Sequence, residues 1–131
     1  MRYLPVRLHP NQDLRQALEA LLAQEQVSAA FVISGIGSLS TAMIRFAGMS
    51  EATTLHGDFE LLTLAGSLSP DGAHLHITIS VAQGQVLGGH VAPGCIIRTT
   101  AEILLALLPD HQFTRAPDPA SGYKELVIRP T

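Results

Sequence analysis

His74-Leu75-His76-Ile77-Thr78-Ile79-Ser80-Val81 is the stretch on which the fold turns. Aliphatic and polar residues alternate strictly, the period of a strand with one face buried and one face wet. Turn signals bracket it, Pro70-Asp71-Gly72 before and Gln83-Gly84 after. A strand bounded so tightly takes neighbours by hairpin and therefore antiparallel. Moving outward, Gln85 to Leu87 reads as a short strand broken by Gly88-Gly89, and Phe59 to Leu64 as a strand ending at Gly66. Thr41 to Phe46 and Ala29 to Ile33 are further strands. Between them, Ser34-Gly35-Ile36-Gly37-Ser38 lacks the spacing and the lysine of a phosphate loop and reads as a tight turn. In Ile96 to Leu108 the leucines and alanines suit a helix. Ile96-Ile97-Arg98-Thr99-Thr100 suits a strand, and a strand through about Leu105 is expected.

Arg2 to Leu8 reads as the first strand and Tyr123 to Ile128 as the last. Pro109 to Gly122, with three prolines, reads as a loop. Only one segment has helical spacing. Leu14, Ala17, Leu18, Leu21 and Leu22 mark a helix over about 12–25, with Asn11 as N-cap and Asp13 in the first turn. One amphipathic helix near the N-terminus plus many short strands, without regular alternation, indicates an α+β domain with a mostly antiparallel or mixed sheet. Residues 1–131 are expected to form a single domain.

Composition narrows the function classes. Hydrophobic residues make up 47% of the chain and charged residues 15%, well under the usual quarter or so. So much uncharged surface suggests contact with other subunits. Net charge is −3, which lacks the basic footprint of a nucleic-acid binder. Cys95 is the single cysteine, so no internal disulfide forms. It reads as a small buried hydrophobe in a reducing compartment. The first residues carry no long apolar run of a signal peptide, and no stretch of about 20 apolar residues spans a membrane. A cytoplasmic protein is expected.

The chemistry is concentrated in histidines. In a strand, residues i and i+2 share a face, so the imidazoles of His74 and His76 project together. Two neutral imidazoles on one face are half a site for zinc or a similar ion. His90 ends the next short strand, where a hairpin can return it to the pair, and Gly88-Gly89 would give the backbone freedom to aim it. His9, His56 and His111 lie in loop-like contexts and read as surface residues. Glu60 and Glu102 lie in apolar strands, where a carboxylate either faces solvent or serves a site. Arg45 and Arg98 also lie in strands and can bind an anion or pair with an acid.

Leu61-Leu62-Thr63-Leu64-Ala65-Gly66-Ser67, then His74-Leu75-His76, then Gly84-Gln85-Val86-Leu87-Gly88-Gly89-His90 resembles the plants-and-prokaryotes conserved domain family. Gly35-Ile36-Gly37-Ser38 and Thr99-Thr100-Ala101-Glu102 fit the same pattern. The resemblance implies an α+β fold and a homotrimer. It also carries a DNA-binding label, since plant members join the domain to an AT-hook. No Arg-Gly-Arg-Pro occurs in these residues. The implied fold is also similar to that of acetolactate decarboxylase, a zinc enzyme whose metal is held by a His-x-His pair and a later His. By that likeness His74, His76 and His90 would be the zinc ligands, leaving a fourth position for water or a small ligand. The expected chemistry is polarisation of a carbonyl or activation of that water, with Glu60 or Glu102 as proton-transfer partner. A DNA-binding or chromatin-associated protein, and a metal-free oligomerisation module that recruits other proteins, are the alternatives.

Overall fold

The computed structural model describes residues Met1–Thr131. The elements are β1 (Arg2–Leu8), α1 (Leu14–Glu25), β2 (Ala30–Arg45), β3 (Thr53–Ser69), β4 (Gly72–Ser80), β5 (Val86–Val91), β6 (Ile96–Leu107), β7 (His111–Pro117) and β8 (Lys124–Pro130). The first six strands form one sheet in the order β1-β6-β2-β3-β4-β5, and β7 and β8 form a separate two-stranded ribbon. Every ladder between strands is antiparallel. The expected α+β class and the single N-terminal helix are what the structure has.

The alternation of β4 sorts its residues by face. Leu75, Ile77 and Ile79 are buried, whereas His74 and His76 are exposed. The buried set joins one hydrophobic core with Leu39, Ile44, Leu64, Leu68, Ile97 and Leu105 from the other strands. Leu14, Leu18 and Leu22, one helical turn apart, put a stripe of α1 into that core. Each such leucine contributes about 1.5–3 kcal/mol by leaving water. β5 pairs with β4 on one side and, through Ile44↔Val91 and Arg45↔His90, with the end of β2 on the other. The four strands β2 to β5 therefore close on themselves. The histidines stand on the outer face of this closure.

Several local expectations are corrected. Asp13, not Asn11, caps the helix. One of its oxygens accepts from the Gln16 amide at 3.0 Å and the other from the Gly94 amide at 2.6 Å, so a single carboxylate ties the helix start to the β5–β6 loop. Asn11 takes a positive φ of 73° just before it. Ser34 to Ser38 is no turn but the middle of β2, with register shifts against β6 on both sides. Gly37 is needed there because a Cβ would collide with the Thr100 carbonyl of β6. Gly88-Gly89 does not break β5 but runs through it. Residues 111–117, expected as loop, form β7, whose Phe113 is buried and meets Phe31 edge to face at 5.6 Å between ring centroids. The ribbon thereby lies over the outer face of β2 and β3.

Candidate metal centre

Strand register builds the site. His74 and His76 project from the outer face of β4, and His76 stands directly opposite His90 of β5. Directly opposed residues of an antiparallel pair share a face, so the hairpin delivers the third imidazole to the first two. Ring centroids lie 5.0 Å apart for His74 and His76, 5.3 Å for His74 and His90, and 4.5 Å for His76 and His90. One ring nitrogen from each lies within 4.8 Å of the others. A tetrahedral ion with Zn–N near 2.1 Å needs nitrogens about 3.4 Å apart, and small rotations of exposed imidazoles close that gap. Three imidazole donors and no thiolate suit zinc and its first-row neighbours.

Glycines let the strands come this close, at Gly88 and Gly89 by their size and not by conformational freedom. A Cβ on Gly89 would stand 2.6 Å from the Arg45 carbonyl oxygen, and one on Gly88 would stand 2.7 Å from that of Ile77. Gly66, at φ 148°, faces the His74 carbonyl, where a Cβ would clash outright.

The electrostatics favour the neutral form of two of the rings. Burial lowers the pKa of His74, helped by the Arg115 guanidinium and by His76. Burial likewise lowers that of His90, followed by Arg45 and the two other histidines. A neutral imidazole is the metal-binding form.

The cluster borders an open cavity of about 910 Å³ between the sheet and the ribbon. His74 and His90 line it with Arg15 of α1, Arg45 of β2, Arg115 of β7 and Lys124 and Glu125 of β8, together with Asp71 from the β3–β4 turn. Of these only Arg45 was legible as a candidate. Arg15 reads in sequence as part of the helix's polar face. It donates to the Val91 carbonyl at 2.9 Å and pairs with Glu19 at 3.4 Å. Arg115 belongs to β7, which the sequence predicts as loop. Its guanidinium donates to Ser67 Oγ at 3.1 Å and its amide to Asp71 at 2.8 Å.

The two glutamates are not brought to the cluster. Glu60 is in register with Ser80, four residues along β4 from His76, about 13 Å at the usual rise of a strand. Glu102 stands on β6 opposite Arg7 and Ile36, with β2 and β3 between it and β4. Arg98 pairs with Asp58 at 3.1 Å. His9, His56 and His111 are exposed, the last two on strands and not in loops. Cys95 is fully buried as expected, and burial pushes its thiol pKa up. No helix is long and apolar enough to cross a membrane.

Fold and site together define a small α+β domain that displays three histidines on the outer face of its sheet. Residues 1–109 match the Plants and Prokaryotes Conserved (PCC) domain, and the chain belongs to that family. It is 52% identical over 130 residues to the bifunctional protein GlmU of a Synechococcus strain, covering 99% of this chain and 21% of that protein. The chain thus spans about a fifth of that relative's length. AT-hook motif nuclear-localized protein 16 of Arabidopsis thaliana is 35% identical over 92 residues, 66% of this chain and 36% of that one. A hypothetical protein of Salmonella enterica superposes with a TM-score of 0.95 at 41% identity, covering 98% and 94% of the two chains. A protein of Archaeoglobus fulgidus described as metal-containing shares the fold, with a TM-score of 0.79, 24% identity and coverage of 97% and 94%.

Proposed function

We infer that this domain works as a homotrimer whose His74, His76 and His90 bind a divalent metal, zinc before others, at the mouth of the cavity. The observation that carries the reading is the convergence of three imidazole nitrogens within 4.8 Å on one exposed face. Burial at His74 and His90 favours the neutral, metal-binding form of those two rings. The description of the A. fulgidus fold neighbour as metal-containing accords with it.

Three protein ligands leave a coordination position open, as catalytic sites do and structural zinc sites do not. A metal held there would supply Lewis acidity or an activated water. The chain's own residues would do the rest. Asp71 and Glu125 are the carboxylates of the cavity and replace Glu60 and Glu102 as proton-transfer candidates. Assembly is supported by Phe31, Ile33, Ile36 and Leu62, large apolar side chains that β2 and β3 leave exposed.

The test is zinc content. Wild-type protein exposed to zinc and dialysed should retain about one ion per chain, and His76→Ala should lose most of it while keeping the wild-type circular dichroism. Folded wild-type protein that retains none would overturn the metal reading.

DNA binding is the second reading, favoured by the AT-hook protein among the relatives. The net charge of −3 speaks against it for this chain acting alone. An empty histidine cluster would instead leave the exposed apolar residues as the main feature, which fits the third reading, an oligomerisation module.

A further inference from the structure

Half of the positive charge of this acidic chain is gathered in one place. Four of its eight Lys and Arg line the larger cavity beside the histidines, but only two of its eleven Asp and Glu do. Arg15 is committed to Glu19. The other two guanidiniums have no carboxylate partner. Arg45 donates to the Met49 carbonyl at 3.1 Å, and Arg115 to the Ser67 hydroxyl at 3.1 Å. Each keeps further N–H donors free in its planar fork.

Their placement is as telling as their number. Arg45 is the cross-strand partner of His90, so it flanks the cluster on the β5 side. Arg115 comes from the ribbon and flanks it on the β4 side, where it borders a second hollow with His74 and His76. The imidazoles are bracketed by two cations that the fold itself does not use for ion pairing.

We propose that the cavity receives a small organic anion bearing carboxylate or phosphate oxygens, gripped by Arg45 and Arg115. This deepens the metal-centre reading, on which it rests only for the oxygen nearest the imidazoles. The outer charge of the ligand is met by the guanidiniums alone. A planar fork matches two oxygens of one acid group, and two forks on opposite flanks suit a ligand with two acid groups or one phosphate. The volume of about 910 Å³ is that of a small-molecule site. One concave spot of positive charge, without a stripe or a run, is a poor match for a duplex backbone.

Isothermal titration at constant ionic strength tests this, with inorganic phosphate and succinate as the two probes on zinc-loaded and metal-free protein. Saturable binding of at least one probe is expected, and the preferred probe tells phosphate from dicarboxylate. Arg45→Gln and Arg115→Gln should each weaken it about tenfold, the loss of one charge-assisted contact. Arg115→Lys, which keeps the charge, should lose less, and Arg98→Gln, outside the cavity, nothing. Circular dichroism of each variant separates lost binding from lost fold. Zinc retained with no anion binding, or with binding indifferent to both arginines, would overturn the proposal and leave the metal centre standing. Arginine-dependent binding without zinc retention would support the anion site and sink the metal reading. Duplex DNA bound more tightly than either probe, through the same arginines, would overturn the small-molecule assignment.

Discussion

Replacing Gly89 by alanine probes the joint between fold and site at its tightest point. The added Cβ would stand 2.6 Å from the Arg45 carbonyl oxygen and 2.8 Å from Ile44 Cγ2. Ordinary contact begins near 3.4 Å, so β5 and β2 must part by about 0.8 Å where Arg45 and His90 pair. The obstacle at Arg45 is backbone and cannot swing aside. Overpacking of this kind costs about 1–3 kcal/mol. For a domain of this size 2 kcal/mol lowers Tm by roughly 6–10 °C. The strand that moves carries His90, so zinc affinity should fall about tenfold or more, as it does when groups supporting a ligand are displaced. Gly84→Ala is the contrast. It has nothing within 4 Å but sits at φ 84° in the β4–β5 turn, so its cost is the left-handed backbone alone, about 1–2 kcal/mol, with zinc binding intact. Thermal melts of the metal-free proteins and a zinc titration of each decide the matter. Gly89→Ala that melts with the wild type and binds zinc equally well would refute the idea that glycine spacing sets the position of His90.

Four further outcomes are expected. His74 and His90 both have lowered pKa values and ligate only when neutral, so zinc binding should weaken as pH falls below 6.5, the ordinary histidine value. The unfolded chain takes up those protons first, so metal-free stability, followed by urea melts, should be level above about pH 6.5 and decline as pH falls through the folded-state values. Light scattering should give a mass near three times 13.9 kDa, and a monomer at micromolar concentration would contradict the trimer. Fluorescence anisotropy in about 150 mM salt should find duplex DNA bound no more tightly than the nonspecific range of about 10⁻⁴–10⁻⁶ M; saturable binding below that would promote the DNA reading.

Period-two alternation made the sheet legible, and the His-x-His spacing, with the hairpin that returns His90, made the three-histidine cluster legible with it. What escaped depends on contacts distant in sequence. Gly35 and Gly37 look like turn residues because glycine is the commonest turn-former, yet Gly37 is required by the Thr100 carbonyl some sixty residues away. Gln112-Phe113-Thr114-Arg115 has the alternation of a strand, but Pro109, Pro117 and Pro119 around it argue for a loop. In the structure Pro109 precedes β7, Pro117 ends it and Pro119 follows it, so none interrupts the ladder. Missing β7 meant missing Arg115. Arg15 escaped for a different reason: on a helix read alone, a charged residue opposite the leucines needs no explanation beyond solvent. Asn11 and Asp13 are both good caps, and the Gly94 amide that rewards Asp13 lies beyond any local window.

The same alternation that identifies the strand also guards the site. In β4 the inward positions Leu75, Ile77 and Ile79 are almost fully buried, and His74 and His76 take outward positions. A slip of one residue in the pairing would turn His74 and His76 into the core and expose all three aliphatic side chains. Desolvating two imidazoles and losing three buried side chains, at about 1.5–3 kcal/mol each, makes that slip prohibitive. The cluster therefore needs no stabilising energy of its own to stay aimed. It inherits its aim from the hydrophobic residues between the histidines, and from β5, whose register with β4 puts His90 opposite His76. The functional face can therefore change its side chains while the buried face keeps the fold. Arg45, aligned with His90 by the last pairing of β2, is held by the same register.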